Sequence, residues 1–546
     1  INLAKSLINL ENYPQPELIE QLLLQAVEEA RTLADVRTTA YALGTLGKLY
    51  EEQKQWEQAL EKTQDAIRLT EKIQAPELAY QWEWQLGRLL RNQGEIESAV
   101  AAYKTALRSI ELAREDLIVL NNSEVRFSFL ENIEPVYREY VNLLFLQNAQ
   151  SNSEQKSDKQ VNQPTQSEQN YLQEARETIE ALQVAELENF LRCQLSTDRN
   201  ITIDNFIETN NLQAAVIYPI ILPERLETIV KLPHQSNLLF YSSQVSRKKI
   251  EDDVKNLRKA IKEEKTFNNN TYFQEIYNYI LPQNLDIILQ NNQITTLVFV
   301  LDGALKNLPI AALYDGTNYL IEKYSLVVNL GLQLFDSPPL RSKKPQVLAA
   351  GISESVQNYQ ALEFVDDELQ EIKSKFPTSK ILLNDKFLKK TIQDEIANQP
   401  YSVVHLATHG QFSSDPESTF IISHKDRIQI NEIKNIFRNR EKNQPNPIHL
   451  LVLSACETAT GDSRAALGIA GISIQAGARS TIASLFPVND LSTSLLMRNF
   501  YTALKEDNLT KAEALRRSQL ALLSNNNKEY AKPYYWSPFI LIGDWR

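Results

Sequence analysis

The chain has 546 residues, 43% hydrophobic and 23% charged, with a formal net charge of -12 and a pI of about 5.2, which fits a globular protein of two to four domains. No apolar run approaches the ~20 residues that span a bilayer, and Lys and Arg alternate with acids, as in Arg247-Lys248-Lys249-Ile250-Glu251-Asp252, so neither a membrane nor direct nucleic acid is an expected partner. Two cysteines, Cys193 and Cys456, exclude a disulfide framework and a Cys-rich metal site and suit a reducing cytoplasm. The chain opens on Ile1 and holds one methionine, Met497, so it is not expected to begin at the natural start.

Residues 1–115 repeat themselves. Leu46-Gly47-Lys48-Leu49 returns 40 positions later as Leu86-Gly87-Arg88-Leu89, Ala59 as Ala99, and Ala66-Ile67 as Ala106-Leu107, while Ala26-Val27 marks half of an earlier unit. Each unit reads as two amphipathic helices with Gly and Ala where they approach closely. The pattern resembles tetratricopeptide repeats at a period longer than their usual ~34. Such repeats stack into a solenoid with a concave binding face, so a protein partner is expected there.

Residues 116–199 read as a helical extension. Helical pattern runs through Val125–Gln147, and the polar stretch Asn148–Asn170 is expected to be a mobile loop. Tyr171–Cys193 is a further amphipathic helix, with Cys193 ending its apolar stripe as a buried structural thiol.

Beyond residue 200, short β-rich runs alternate with helical patterns. Strands are expected at Ala214–Ile221, Glu227–Leu232, Leu238–Ser242 and Thr296–Leu301, with a helix near Lys248–Lys265. From Gln346 the alternation is regular: strands Val347–Gly351, Lys380–Leu383, Val403–Thr408, Leu450–Leu453, Thr481–Leu485 and Pro538–Ile542. Helices fall at Asp366–Lys375, Ile392–Ala397, Gly468–Ala476, Thr493–Leu504 and Lys511–Leu523. This implies a mostly parallel sheet covered on both faces.

Ligands gather beyond the carboxyl ends of such strands. Two strand ends carry chemistry: Val403–Thr408 delivers His409 and Gly410, and Leu450–Leu453 delivers Ser454, Ala455 and Cys456. The spacing of 47 residues allows neighbouring strands and is close to the ~50 between caspase His and Cys. A thiolate and an imidazole make a nucleophile and a base, and the Gly410 and Cys456 amides are candidate oxyanion donors. Taken singly, each residue is more often structural; it is the pairing that points to catalysis. His405 lies within the strand and reads as a core histidine. His234, His424 and His449 have no second ligand at metal-site spacing, so no metal and no cofactor is expected.

Val404-His405-Leu406-Ala407-Thr408-His409-Gly410 and Leu453-Ser454-Ala455-Cys456-Glu457-Thr458 resemble the histidine and cysteine motifs of the CHAT family, caspase-like domains associated with tetratricopeptide repeats. Ala466-Leu467-Gly468, Ser484-Leu485-Phe486-Pro487-Val488-Asn489-Asp490, the ending Trp536 to Asp544 and the upstream Asp302-Gly303-x-Leu305-x-x-Leu308-Pro309 occur in the family's order. The resemblance implies an α-solenoid followed by a caspase-like α/β domain. An accessory half (200–340) would precede a catalytic domain (341–546), as in separases. It further implies a cysteine endopeptidase with a His409–Cys456 dyad, acting on a protein substrate under a regulatory partner bound by the repeats. Where the family often carries an acidic pair, this chain has Asn489-Asp490. Glu457, Asp462 and Asp490 are the acids that would meet a basic P1 side chain, though each reads equally as a solvated acid. The alternatives are a non-enzymatic scaffold on the same fold, or a cysteine hydrolase acting on something other than protein.

Overall fold

The structure, a computed structural model, describes residues 1–8, 16–114, 129–153, 165–195, 201–263, 271–330, 340, 345–443, 447–454, 457–458, 466–506 and 509–546. Contacts divide the chain into two compact units, Ile1–Leu182 with Arg192–Leu195, and Gln183–Leu191 with Ser196–Arg546.

In the first unit, α1 (Asn2–Ile8) precedes five 17-residue helices: α2 (Pro16–Thr32), α3 (Val36–Glu52), α4 (Trp56–Lys72), α5 (Pro76–Asn92) and α6 (Ile96–Leu112). They start every 20 residues, so the 40-residue repeat is a pair of helix-turn units. Each turn holds one left-handed residue, Ala34, Lys54, Gln74 or Gly94. There the chain reverses by a six-to-one closure, as where the Gln55 amide bonds to Tyr50 O at 2.8 Å. The small residues have the role their spacing predicts. A Cβ at Gly44 would come within 2.3 Å of the Trp82 ring, and one at Gly87 within 2.6 Å of Tyr103.

Two readings in the helical extension are corrected. Asn148–Ser153 complete a helix that begins at Glu134, and Gln166–Asn170 open the helix Gln166–Leu191. The second start is a reciprocal cap: the Glu168 amide donates to Thr165 Oγ1 and the Thr165 amide to the Glu168 carboxylate. Residues 154–164 of the expected loop, and 125–128 of the preceding helical pattern, lie outside the described residues. Cys193 is only partly buried, because the helix stops at Leu191 and Arg192 turns left-handed at φ 51°.

The second unit holds an eleven-stranded sheet. Its strands are β1 (Ala214–Ile221), β2 (Leu226–Lys231), β3 (Leu238–Ser243), β4 (Thr296–Val300), β5 (Ser325–Asn329), β6 (Val347–Gly351), β7 (Lys380–Leu383), β8 (Val403–Ala407), β12 (Leu450–Leu453), β14 (Ser480–Ser484) and β15 (Phe539–Gly543). The order is β3-β2-β1-β4-β5-β15-β14-β12-β8-β6-β7. β4, β8, β12 and β14 are buried at every residue, as continuous apolar runs in a twice-covered sheet must be. β15 runs parallel to β5 and antiparallel to β14. The parallel set β1-β4-β5 therefore points opposite to the set β14-β12-β8-β6-β7, and one sheet continues across residue 340.

Four short strands form a second sheet ordered β11-β10-β9-β13: β9 (Gly410–Phe412), β10 (Phe420–Ile422), β11 (Arg427–Gln429) and β13 (Glu457–Thr458). It is not expected from the sequence, where runs of two or three residues show no periodicity.

Candidate active site

From β6 the chain steps outward to β7, returns past β6 to β8, and continues to β12 and β14. The order thus reverses at β6, and the carboxyl ends of β6 and β8 form a topological switch point, where sheets of this kind hold their binding crevice. His409 stands at the end of β8. Its Nε2 lies 2.9 Å from the carbonyl oxygen of Gln360, in the loop after β6. Tyr359 stacks on the imidazole at 4.9 Å and 30°. A carbonyl can only accept, so Nε2 carries a proton, which in the neutral imidazole leaves the lone pair on Nδ1. The loop is built for this by a tight turn. Gln357 and Asn358 take φ values of 49° and 70°, the Tyr359 amide bonds to Val356 O at 2.7 Å, and Gln357 Nε2 donates to Ser423 O at 2.9 Å.

β8 and β12 pair directly, Leu450 with Val403 through Leu453 with Leu406. The buried Ser454 sends its amide to Leu406 O at 3.0 Å. Cys456 and Asp462 lie outside the described residues. The backbone of Glu457 pairs in parallel with Gln411, two residues beyond His409.

Gly410 is buried between strands. A Cβ there would lie 3.0 Å from Phe420 O, so a side chain at this position would press on β10. The Ile422 amide bonds to His409 O at 2.8 Å, while Gly410 faces Ile421 in the next register pair. Antiparallel alternation turns the amide of such a residue away from β10, toward the β13 side.

Asp490 is the first residue of the helix Asp490–Leu504, and Asn489 caps it by accepting the Ser492 amide at 3.0 Å. Asp490 Oδ2 accepts the amide of Phe364 at 3.0 Å. Burial pushes its carboxyl up from the ordinary range, the Phe364 amide opposes that, Glu368 and Glu363 add to it, and His409 draws it back down. Asp490 therefore borders the crevice.

The remaining histidines are occupied elsewhere. His405 is enclosed in the core with Glu368 and Tyr501. His424 Nε2 lies 2.9 Å from Glu354 Oε1, and His234 Nδ1 2.7 Å from Glu208 Oε2. Among the described residues no three His, Cys, Asp or Glu gather to hold a metal, and no helix is long and apolar enough to cross a membrane. Sequence reading missed Tyr359 and Gln360. An aromatic residue in the polar loop after β6 was the one signal available, and Gln360 acts through its backbone, which carries none.

Repeated helices ahead of a mostly parallel sheet with a polar crevice at its switch point define a caspase-like α/β domain behind tetratricopeptide-like repeats. Residues 270–544 match the CHAT domain family, and the chain belongs to that family. No curated protein sequence matches it. Among solved structures it is similar to a chain of the Saccharomyces cerevisiae separase–securin complex, at 11% identity and a TM-score of 0.38, covering 96% of this chain and 48% of that one. It is also similar to the Porphyromonas gingivalis RgpB pro- and mature-domain complex, at 13% identity and a TM-score of 0.33, over 54% of this chain and 76% of that one. A Podosopora anserina chain of nearly identical TPR-like repeats covers 34% of this chain and 93% of its own, at 17% identity and a TM-score of 0.19. The chain thus spans about half the length of the first of these.

Proposed function

We propose that this chain is a cysteine endopeptidase in which His409 activates Cys456. The observation that carries the reading is the His409 imidazole at the switch-point crevice, held by Gln360 O at 2.9 Å and stacked on Tyr359. A base oriented by a third group is the arrangement nucleophilic catalysis uses. The sequence neighbours of Cys456, namely Ser454, bonded to Leu406, and Glu457, paired with Gln411, support a nucleophile that works beside the same strand end.

In this mechanism Nδ1 takes the thiol proton and the thiolate adds to the scissile carbonyl. The Gly410 and Cys456 amides receive the oxyanion. The imidazolium returns its proton to the leaving amine, and water then hydrolyses the thioester. Glu457, Asp462 and Asp490 are the acids proposed to meet a basic P1 side chain, and the repeats are proposed to bind a regulatory or substrate protein.

Cleavage of a diverse peptide library by wild type, Cys456→Ala and His409→Ala tests the reading. Cleavage with a shared P1 residue by wild type alone is expected, with each variant losing about 10⁴-fold or more. Equal cleavage by Cys456→Ala would end it. An inert wild type whose Cys456 also resists a thiol-reactive peptide probe would instead mark a binding module.

A further inference from the structure

His405 belongs to the motif that ends in His409, yet the proposed mechanism leaves it idle. It is fully buried at 0% exposure, with Glu368 at 2% and Tyr501 at 1%. Its Nε2 lies 2.7 Å from Glu368 Oε1 and its Nδ1 3.0 Å from Tyr501 Oη. Three elements meet here: β8, the helix Val365–Lys375 and the helix Asp490–Leu504. A carboxyl group is costly to take this far from water without polar company. His405 is the titratable group that strand β8 offers it. The flanking strands present only apolar residues opposite His405, Ala349 from β6 and Val452 from β12. Phe376 and Phe500 pack on the Tyr501 ring.

Both helices tied by His405 begin at the crevice. Phe364 caps the first, one turn before Glu368, and its amide donates to Asp490, the first residue of the second. Four residues before Phe364 stands Gln360, whose carbonyl holds His409. The chain of contacts therefore runs from Tyr501 through His405 and Glu368, up one helical turn to Phe364 and Asp490, and across to the loop that orients the imidazole.

We propose that His405 is a positioning residue for His409: by binding Glu368 and Tyr501 it pins the two helices whose first turns hold the Gln360 loop against the imidazole. The inference rests on the His409–Cys456 reading. Misplacing a catalytic group by about 1 Å costs up to ~10²-fold, so modest slippage of either helix is enough to matter. The titratable groups that face His405 are Glu368 and Tyr501, and those that face Asp490 are Glu363, Glu368 and His409, so Glu368 is common to both.

The test uses the full chain carrying Cys193→Ser, which leaves Cys456 as its one thiol. Alkylation by iodoacetamide is followed from about pH 5 to pH 9, the range over which thiolates form. The parent is expected to react below the ordinary thiol range, and His409→Ala to abolish that limb. Tyr501→Phe and Glu368→Gln are expected to move the limb upward and slow labelling at neutral pH about tenfold while staying folded at the assay temperature. His405→Gln, which keeps a donor toward Glu368, should fall between His405→Ala and the parent. Tyr501→Phe deletes one hydroxyl and keeps the ring, so it decides the matter if Glu368→Gln does not fold. Variant curves that overlay a low-pH parent limb would overturn the proposal while leaving the dyad intact. A limb unchanged in His409→Ala would overturn the dyad, and the positioning role with it.

Discussion

Strands β4 and β8 are both five-residue, fully buried members of parallel ladders, and each ends in a polar turn. The turn after β4 is spent on structure. Asp302 accepts the Ile221 amide at 2.9 Å from the end of β1, and Lys306 forms a buried ion pair with Glu186. The turn after β8 instead leaves a partly exposed imidazole in a crevice. The difference lies in strand order. In the first half β1, β4 and β5 succeed one another in a single direction, with the β2-β3 hairpin pairing antiparallel on the far side of β1. In the second half the order reverses at β6, and two loops part instead of closing over each other. Motif residues at the first half's strand ends therefore serve stability, and those at the second half's are the ones to which the proposed function assigns chemistry.

That contrast can be broken most forcefully at Lys306. Lys306→Met takes a buried cation away from Glu186 and should cost up to about 3–5 kcal/mol, with Lys306→Met/Glu186→Leu recovering most of it; denaturant unfolding reads both. Asp302→Ala strips the acceptor from the Ile221 amide and should cost about 1–3 kcal/mol, with peptide cleavage per folded molecule unchanged. A fall in specific activity from either variant would mean that the first half also serves the site. On the other side of the comparison, Tyr359→Ala removes a ring stacked on His409, worth about 0.5–1.5 kcal/mol, and should lower kcat roughly three- to tenfold without destabilising the fold. The smallest effect belongs to Asp490. Its carboxyl is raised by burial, so the stability it adds is fully present below the ordinary Asp range and fades as pH rises through the folded-state value. The melting temperature of wild type minus that of Asp490→Asn should therefore fall from acid toward neutral pH. A flat difference would mean that the group titrates as it does in the unfolded chain.

Strands that are apolar throughout are legible in the sequence with their true ends, as Val347–Gly351 and Leu450–Leu453 show. Periodicity cannot see a strand of two or three residues, so the sheet that places Gly410 beside Phe420 stays hidden. The Thr165–Glu168 cap is present as a Thr-x-x-Glu pattern, but polar composition around it argues for a loop. His409 is legible because its type and its strand-end position agree. The Gln360 carbonyl is not, since every residue has one and only the left-handed turn at Gln357 and Asn358 aims it.

Strand β15 lies between β5 and β14 and touches both. A nascent chain that has not reached residue 543 exposes two unpaired ladders in the middle of its largest sheet, β5 on one side and β14 on the other. Unpaired edges of this kind invite pairing with other chains. The contact that joins the halves is also among the most distant in sequence, Val328 with Ile542, and such contacts form late. Biogenesis thus carries its own checkpoint: the ribosome must deliver the last strand before the two halves become one sheet, and fragments lacking it are the ones a cell's chaperones and proteases would meet.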